Sequence, residues 1–209
     1  MPLFQRMMHI FFLHAQEFAP PKSDLAGQLK PRDFRSHLVA YIRRFYEENY
    51  PEGRFVDKTP GAEAITGVRL IRDAFPAARI ILTRRTGIEV VQSVQRKFST
   101  DFEAACQLWS SCMTAMGMVR PDLSDVLEID QFDLTNSPEE VSKRMSAYLG
   151  SPKESAALAR FFVERRTDQS SEHDWNSRLS LDEVSWTEKQ KATFIRICGE
   201  HMEAFGYPM

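Results

Sequence analysis

Four residues carry side chains and spacing suited to anion chemistry: Lys58, Arg85, Ser93 and Lys97. In "IILTRRTGIEVVQS", residues 80 to 93, an apolar run meets Arg84 and Arg85 and passes at once into a helical pattern. An open parallel sheet binds ligands beyond the carboxyl ends of its strands, and helix N-termini attract anions there. Arg85 occupies such a junction, and Lys58, in "FVDKTPG", occupies a second one. On the helix after Arg85, Glu89, Ser93 and Lys97 are four residues apart and share a face, with Arg96 beside it. A guanidinium, a hydroxyl and an ammonium could grip a phosphate through charge-assisted hydrogen bonds. A solvated helix face with ordinary ion pairs fits the same spacing, and an exposed turn lysine fits Lys58.

The elements that must position these groups alternate in type. "PRDFRSHLVAYIRRFYEEN" reads as a helix opened by Pro31, with Phe34, Leu38, Tyr41, Ile42 and Phe45 as its apolar stripe. "RFVD" reads as a short strand, followed by Thr59 as N-cap and a helix burying Ala64, Val68, Ile71 and Phe75. "ARIILT" reads as a strand buried on both faces. Thr86 and Glu89 form a capping-box pattern that starts a helix from Gly87 to about Lys97.

Downstream, Phe102, Cys106, Trp109, Met113 and Met116 mark one helical stripe, and "DVLEIDQF" is a third strand candidate. Cap patterns at Ser137 with Glu140, Ser151 with Glu154 and Thr187 with Gln190 open three further helices. The expected fold is α/β, a parallel sheet covered by helices. Three strands are few for such a sheet.

The 209 residues suit a single domain, with residues 1–32 irregular and 151–209 a C-terminal helical part. Apolar residues are 43% and charged residues 27%, ordinary for a globular protein. A net charge of −2 argues against bulk attraction to nucleic acid or an anionic membrane, so any anion site must be a local basic cluster. The apolar run in "MPLFQRMMHIFFLHAQEF" is short and broken by His9 and His14; it fits neither a signal peptide nor a membrane span. Cys106, Cys112 and Cys198 are odd in number and lie in helical apolar patterns, which favours reduced core thiols and a cytoplasmic setting. No His/Cys cluster has metal-ligand spacing, and no metal is expected.

Taken together, "FVDKTPG", "IRDAFPAARIILTRRTGIEVVQS" and "VLEIDQFDLTNSPEEVSKRMSAYLG" resemble the sulfotransferase family in order and spacing. The likeness runs from Phe55 to Gly150 and more loosely through "WTEKQKATFIRICGEHMEAFGY". The resemblance implies a P-loop-NTPase-like α/β fold and transfer of a sulfuryl group from 3′-phosphoadenosine-5′-phosphosulfate (PAPS) to a hydroxyl or amine. It implies that Arg85 and Ser93 hold the 3′-phosphate, which adenosine 3′,5′-bisphosphate also carries, with Lys97 assisting. Lys58 matches a lysine near the transferring group, and "DQFDL" matches a structural turn.

Family members open with a strand and a loop such as "PRSGT" that cradles the 5′-phosphosulfate. No such segment stands in this sequence, and its first strand and loop are expected to be missing. His14 and Glu17 are the nearest candidates for a catalytic base, although a surface role suits them better. Two functions are therefore expected to compete: a sulfotransferase of doubtful activity in this form, or a non-catalytic module binding nucleotide or a partner. A P-loop kinase is disfavoured because no Walker loop is present. The acceptor, a small molecule or a glycan, is not legible. An absent strand would leave an edge able to pair with a second copy, so a homo-oligomer stays open.

Overall fold

The computed structural model describes residues 31–52, 55–58, 60–123, 125–164 and 178–209, with the side chains of 31–34 outside that set. Residues 1–30 with His14 and Glu17, and also Arg54 of "RFVD" and Thr59, lie outside the described residues. The helix expected to be capped by Thr59 begins at Ala62, with Gly61 at its N-cap. Two compact units divide the chain: residues up to Ala78 with Ala115–Val119, and Arg79–Thr114 with Arg120–Met209.

In the first unit, helix α1 (Pro31–Asn49) packs on helix α2 (Ala62–Ala74). Ile42, Leu70 and Ala74 are buried between them, joined by Leu38, Val39, Tyr46, Ile71 and Phe75. The buried face of α1 therefore runs through 38, 42 and 46, one residue in four. Tyr41 and Phe45, expected on that stripe, stand 52% and 47% exposed because they fall on its flank. Arg43 Nε donates to the carbonyl of Ala74 at 2.9 Å, and Arg35 Nε to Asp73 at 2.9 Å. Both bonds bring cationic side chains to the last turn of α2, where the helix dipole favours them.

The expected strand "RFVD" does not form: the described Phe55–Asp57 stretch pairs with no other strand. Ring contacts hold it instead. Phe55 stacks on Tyr46 with centroids 4.4 Å apart and meets Phe75 edge-on at 5.6 Å, and Tyr46 Oη donates to Asp57 at 2.5 Å. Lys58 follows directly and is exposed.

In the second unit, strands β1 (Ile80–Arg84) and β2 (Val126–Asp130) run parallel, in register from Ile80–Val126 to Arg84–Asp130. They are the only strands among the described residues. Ile80 and Leu82 are buried, whereas Ile81 is half-buried and Thr83 exposed, so β1 is not enclosed on both faces as its apolar run suggested. Tyr148 Oη accepts from the amide of Ile80 at 2.8 Å and lies within 3.0–3.1 Å of the carbonyls of Ile80 and Asp125, tying down the strands' starts.

Six helices are also described after β1: α3 (Gly87–Phe98), α4 (Phe102–Val119, whose residues from Ala115 belong to the first unit), α5 (Gln131–Asn136), α6 (Pro138–Tyr148), α7 (Ser155–Glu164) and α8 (Glu188–Ala204). Of these, α5 and α6 pack against β2. The second unit is thus helix-rich α/β with a small parallel sheet. Phe102, Cys106, Trp109, Met113 and Met116 are all buried along α4, as their spacing predicts. Of the expected capping boxes, Thr187 with Gln190 forms completely. Ser137 and Ser151 make no side-chain cap bond, and neither does Thr86. Asp130 caps α5 by accepting from the amide of Phe132 at 2.9 Å.

Candidate functional site

At the carboxyl end of β1, consecutive arginines take opposite ways, as alternation along an extended chain requires. Arg84 turns toward β2 and the C-terminal residues. Its Nη1 donates to the carbonyl of Phe205 at 3.0 Å, and its guanidinium lies over the rings of Phe205 and Tyr207 at 5.8 and 5.4 Å. Its Nε stands 3.9 Å from Asp130 and 4.0 Å from Glu128, buried and without a hydrogen-bond partner among the described residues.

Asp130, 3% exposed, is the centre of that group. Its Oδ2 accepts from Tyr207 Oη at 2.9 Å, and both carboxylate oxygens lie 3.2 Å from Arg178 Nη1. Arg178 is itself held between the rings of Phe132 and Tyr207, at 4.5 and 5.2 Å. A buried carboxylate needs such compensation, and two guanidiniums and a phenol supply it. Gly206 makes the geometry reachable. With φ at 70° it closes a turn after α8 in which the amides of Gly206 and Tyr207 donate to the carbonyls of Glu203 and Met202. That left-handed step suits glycine and turns Tyr207 back toward the sheet.

Arg85 belongs to a different arrangement. Its Nε donates to Glu89 at 2.6 Å, with side chains 14% and 11% exposed. The pair explains why the expected capping box fails: Glu89 meets a cation one turn away, a stronger partner than a backbone amide. Thr86, 1% exposed, instead reaches Met202 Sδ at 3.9 Å.

Ser93 is half-buried on the same face of α3, and Lys97 is exposed in its last turn with its ammonium 5.3 Å from the Phe98 ring centroid. From Glu89 to Lys97 that face extends about 12 Å at 1.5 Å per residue, so Ser93 stands centrally between the two charges. Arg85, Glu89, Ser93 and Lys97 all belong to the second unit, with Arg85 and Glu89 in direct contact. Lys58 belongs to the first unit, exposed beyond Asp57.

Chemically, Arg85, Ser93 and Lys97 carry hydrogen-bond donors, whereas the Glu89 carboxylate accepts. Sequence reasoning singled out the donors but missed Asp130, Arg178, Tyr207 and the pairing role of Glu89. An aspartate ending the apolar "VLEID" was the available signal for the first. Among the described residues no group of His, Cys, Asp and Glu could hold a metal, and no helix is long and apolar enough to cross a membrane.

Comparison with curated proteins and with solved structures gave no match. The sulfotransferase family profile, however, matches residues 5–155, well over half of the 209, and the chain belongs to the sulfotransferase family.

Proposed function

We propose that this chain takes PAPS or adenosine 3′,5′-bisphosphate, with Arg85, Ser93 and Lys97 holding the 3′-phosphate in a P-loop-NTPase-like form of the fold. The observation that carries the reading is Arg85: a guanidinium 14% exposed at a strand-to-helix junction, bonded to Glu89 on the helix that also carries Ser93. Family membership over residues 5–155 supports the same reading. Bound PAPS would supply an activated sulfuryl group, whose transfer forms a bond to the acceptor's oxygen or nitrogen and breaks the one to the 5′-phosphate.

The protein's part in such a transfer is positioning and electrostatics. We assign Lys58 to stabilising the charge that gathers on the leaving oxygen, while a base takes the acceptor's proton. The cytoplasm is the proposed setting.

Calorimetry with adenosine 3′,5′-bisphosphate tests the binding half. Arg85→Ala is expected to weaken binding by about 2 kcal/mol, since hydrogen bonds to charged groups contribute roughly 1.5–3 each. Equal affinity for the two proteins sinks the assignment. Arg84→Ala is expected to act on stability rather than affinity, because its guanidinium is committed to Phe205 and the carboxylates of β2.

A second reading, a module that binds without turnover, draws support from Arg85 already having Glu89 as counter-ion. Transfer of labelled sulfate from PAPS to phenols, sugars and amines separates the two. These 209 residues hold no "PRSGT"-like segment, so we expect binding with little turnover from them alone. Turnover at a rate ordinary for the family, lost in Lys58→Ala with affinity retained, would establish the enzyme instead.

A further inference from the structure

The backbone at Arg85 is contacted by a third element. Trp109, two turns into α4 and 2% exposed, donates its indole N–H to the carbonyl of Arg85 at 3.0 Å. That carbonyl follows the last register pair of the sheet, Arg84–Asp130. It precedes Thr86, whose own carbonyl accepts the first helical bond, from Val90 at 3.1 Å. It lies between the two regular patterns, and the indole N–H bonds it at the junction. The same ring lies against Gly87, where a Cβ would stand 3.0–3.1 Å from three indole carbons. Only a residue without a side chain admits the ring at that distance without displacement.

We propose that Trp109 is the positioning residue of the phosphate site, clamping the backbone from Arg85 to Gly87 so that the guanidinium is held in its binding direction. The proposal rests on the reading of Arg85 as a phosphate ligand. Leverage makes the clamp matter: with a guanidinium about 6 Å from its Cα, a 10° turn of the backbone moves it by roughly 1 Å, beyond the ~0.5 Å tolerance of a preorganised site. A core tryptophan with no such duty would affect stability alone.

Calorimetric titration with adenosine 3′,5′-bisphosphate is run on wild type, Arg85→Ala, Trp109→Phe and Gly87→Ala, with thermal unfolding of each. Trp109→Phe keeps a ring and removes the N–H; Gly87→Ala keeps the N–H and pushes the ring. Both are expected to lose at least fivefold in affinity while unfolding cooperatively. In wild type, the Trp109 indole N–H resonance, identified by its loss in Trp109→Phe, should shift on titration and stay fixed in Arg85→Ala. A lower melting temperature in both variants with dissociation constants within twofold of wild type, while Arg85→Ala binds weakly, overturns the clamp and leaves the phosphate reading standing. Unchanged binding in Arg85→Ala removes the phosphate reading and the clamp with it. If Trp109→Phe does not fold, Gly87→Ala decides: unchanged affinity there overturns the proposal.

Discussion

Tyr207 Oη donates to Asp130 Oδ2 at 2.9 Å, joining the third-last residue of the chain to the end of β2. The bond fixes the C-terminal turn on the sheet and compensates a carboxylate that is 3% exposed. Tyr207→Phe should therefore destabilise by about 1–3 kcal/mol, the cost of leaving a buried acceptor short of a donor. Urea unfolding at neutral pH measures it, and a loss below a few tenths would mean that Arg178 and Arg84 suffice.

The same phenol gives the fold a pH dependence. Burial first, then the Asp130 charge, push the Tyr207 hydroxyl well above the ordinary phenol value. The folded state thus keeps a proton that the unfolded chain gives up above about pH 10. Where the unfolded state binds fewer protons, stability falls as pH rises, so this contribution is complete below pH ~10 and declines above it. Stability measured from pH 8 to 11 should fall less steeply in Tyr207→Phe. A residual slope is expected from Tyr46, whose hydroxyl is also raised by burial and by Asp57. Identical slopes in wild type and variant would contradict the assignment to Tyr207.

Glu89 is the internal counter-ion of Arg85, and its charge should be felt in two measurements. Glu89→Gln leaves a largely buried guanidinium without its carboxylate and is expected to lower stability by about 1–2 kcal/mol, less than for a fully buried pair. Added adenosine 3′,5′-bisphosphate should then raise the melting temperature of Glu89→Gln more than that of wild type. A ligand stabilises according to its affinity, and the variant has lost a competing anion. An equal or smaller rise would place the ligand away from Arg85.

The parts of this structure legible in sequence are those with local causes. The Ile-Ile-Leu run and the Thr86-Gly87 step marked β1 and the start of α3, and the spacing from Phe102 to Met116 marked the buried side of α4. "RFVD" was misread because four residues with an apolar centre suit a strand as well as a loop, and the choice was made by Tyr46 and Phe75. The Thr86–Glu89 box failed because a neighbouring arginine outcompeted a backbone amide for the carboxylate. Asp130 meets Arg178 and Tyr207 across 48 and 77 residues, and no local pattern encodes such a meeting. The same is true of Trp109: its burial follows from helical spacing, but the partner of its N–H does not.

Ser142 offers a test of the opposite sign. It lies fully buried on α6, where its hydroxyl finds no hydrogen-bond partner among the described residues. Its neighbour on the same face, Ser146, one turn later, donates to the carbonyl of Lys143 at 3.1 Å and so meets part of the cost of its burial. An unbonded hydroxyl taken from water costs roughly 1–3 kcal/mol. Removing one oxygen leaves a void far smaller than a methylene deletion does, and alanine is the better helix former by up to about 0.5 kcal/mol. Ser142→Ala should therefore raise stability by about 0.5–1.5 kcal/mol, whereas Ser146→Ala should change it little. Paired urea titrations at fixed slope measure both. Destabilisation of Ser142→Ala by 1 kcal/mol or more would show that the hydroxyl does bond in solution, with a water or with a residue beyond the described ones.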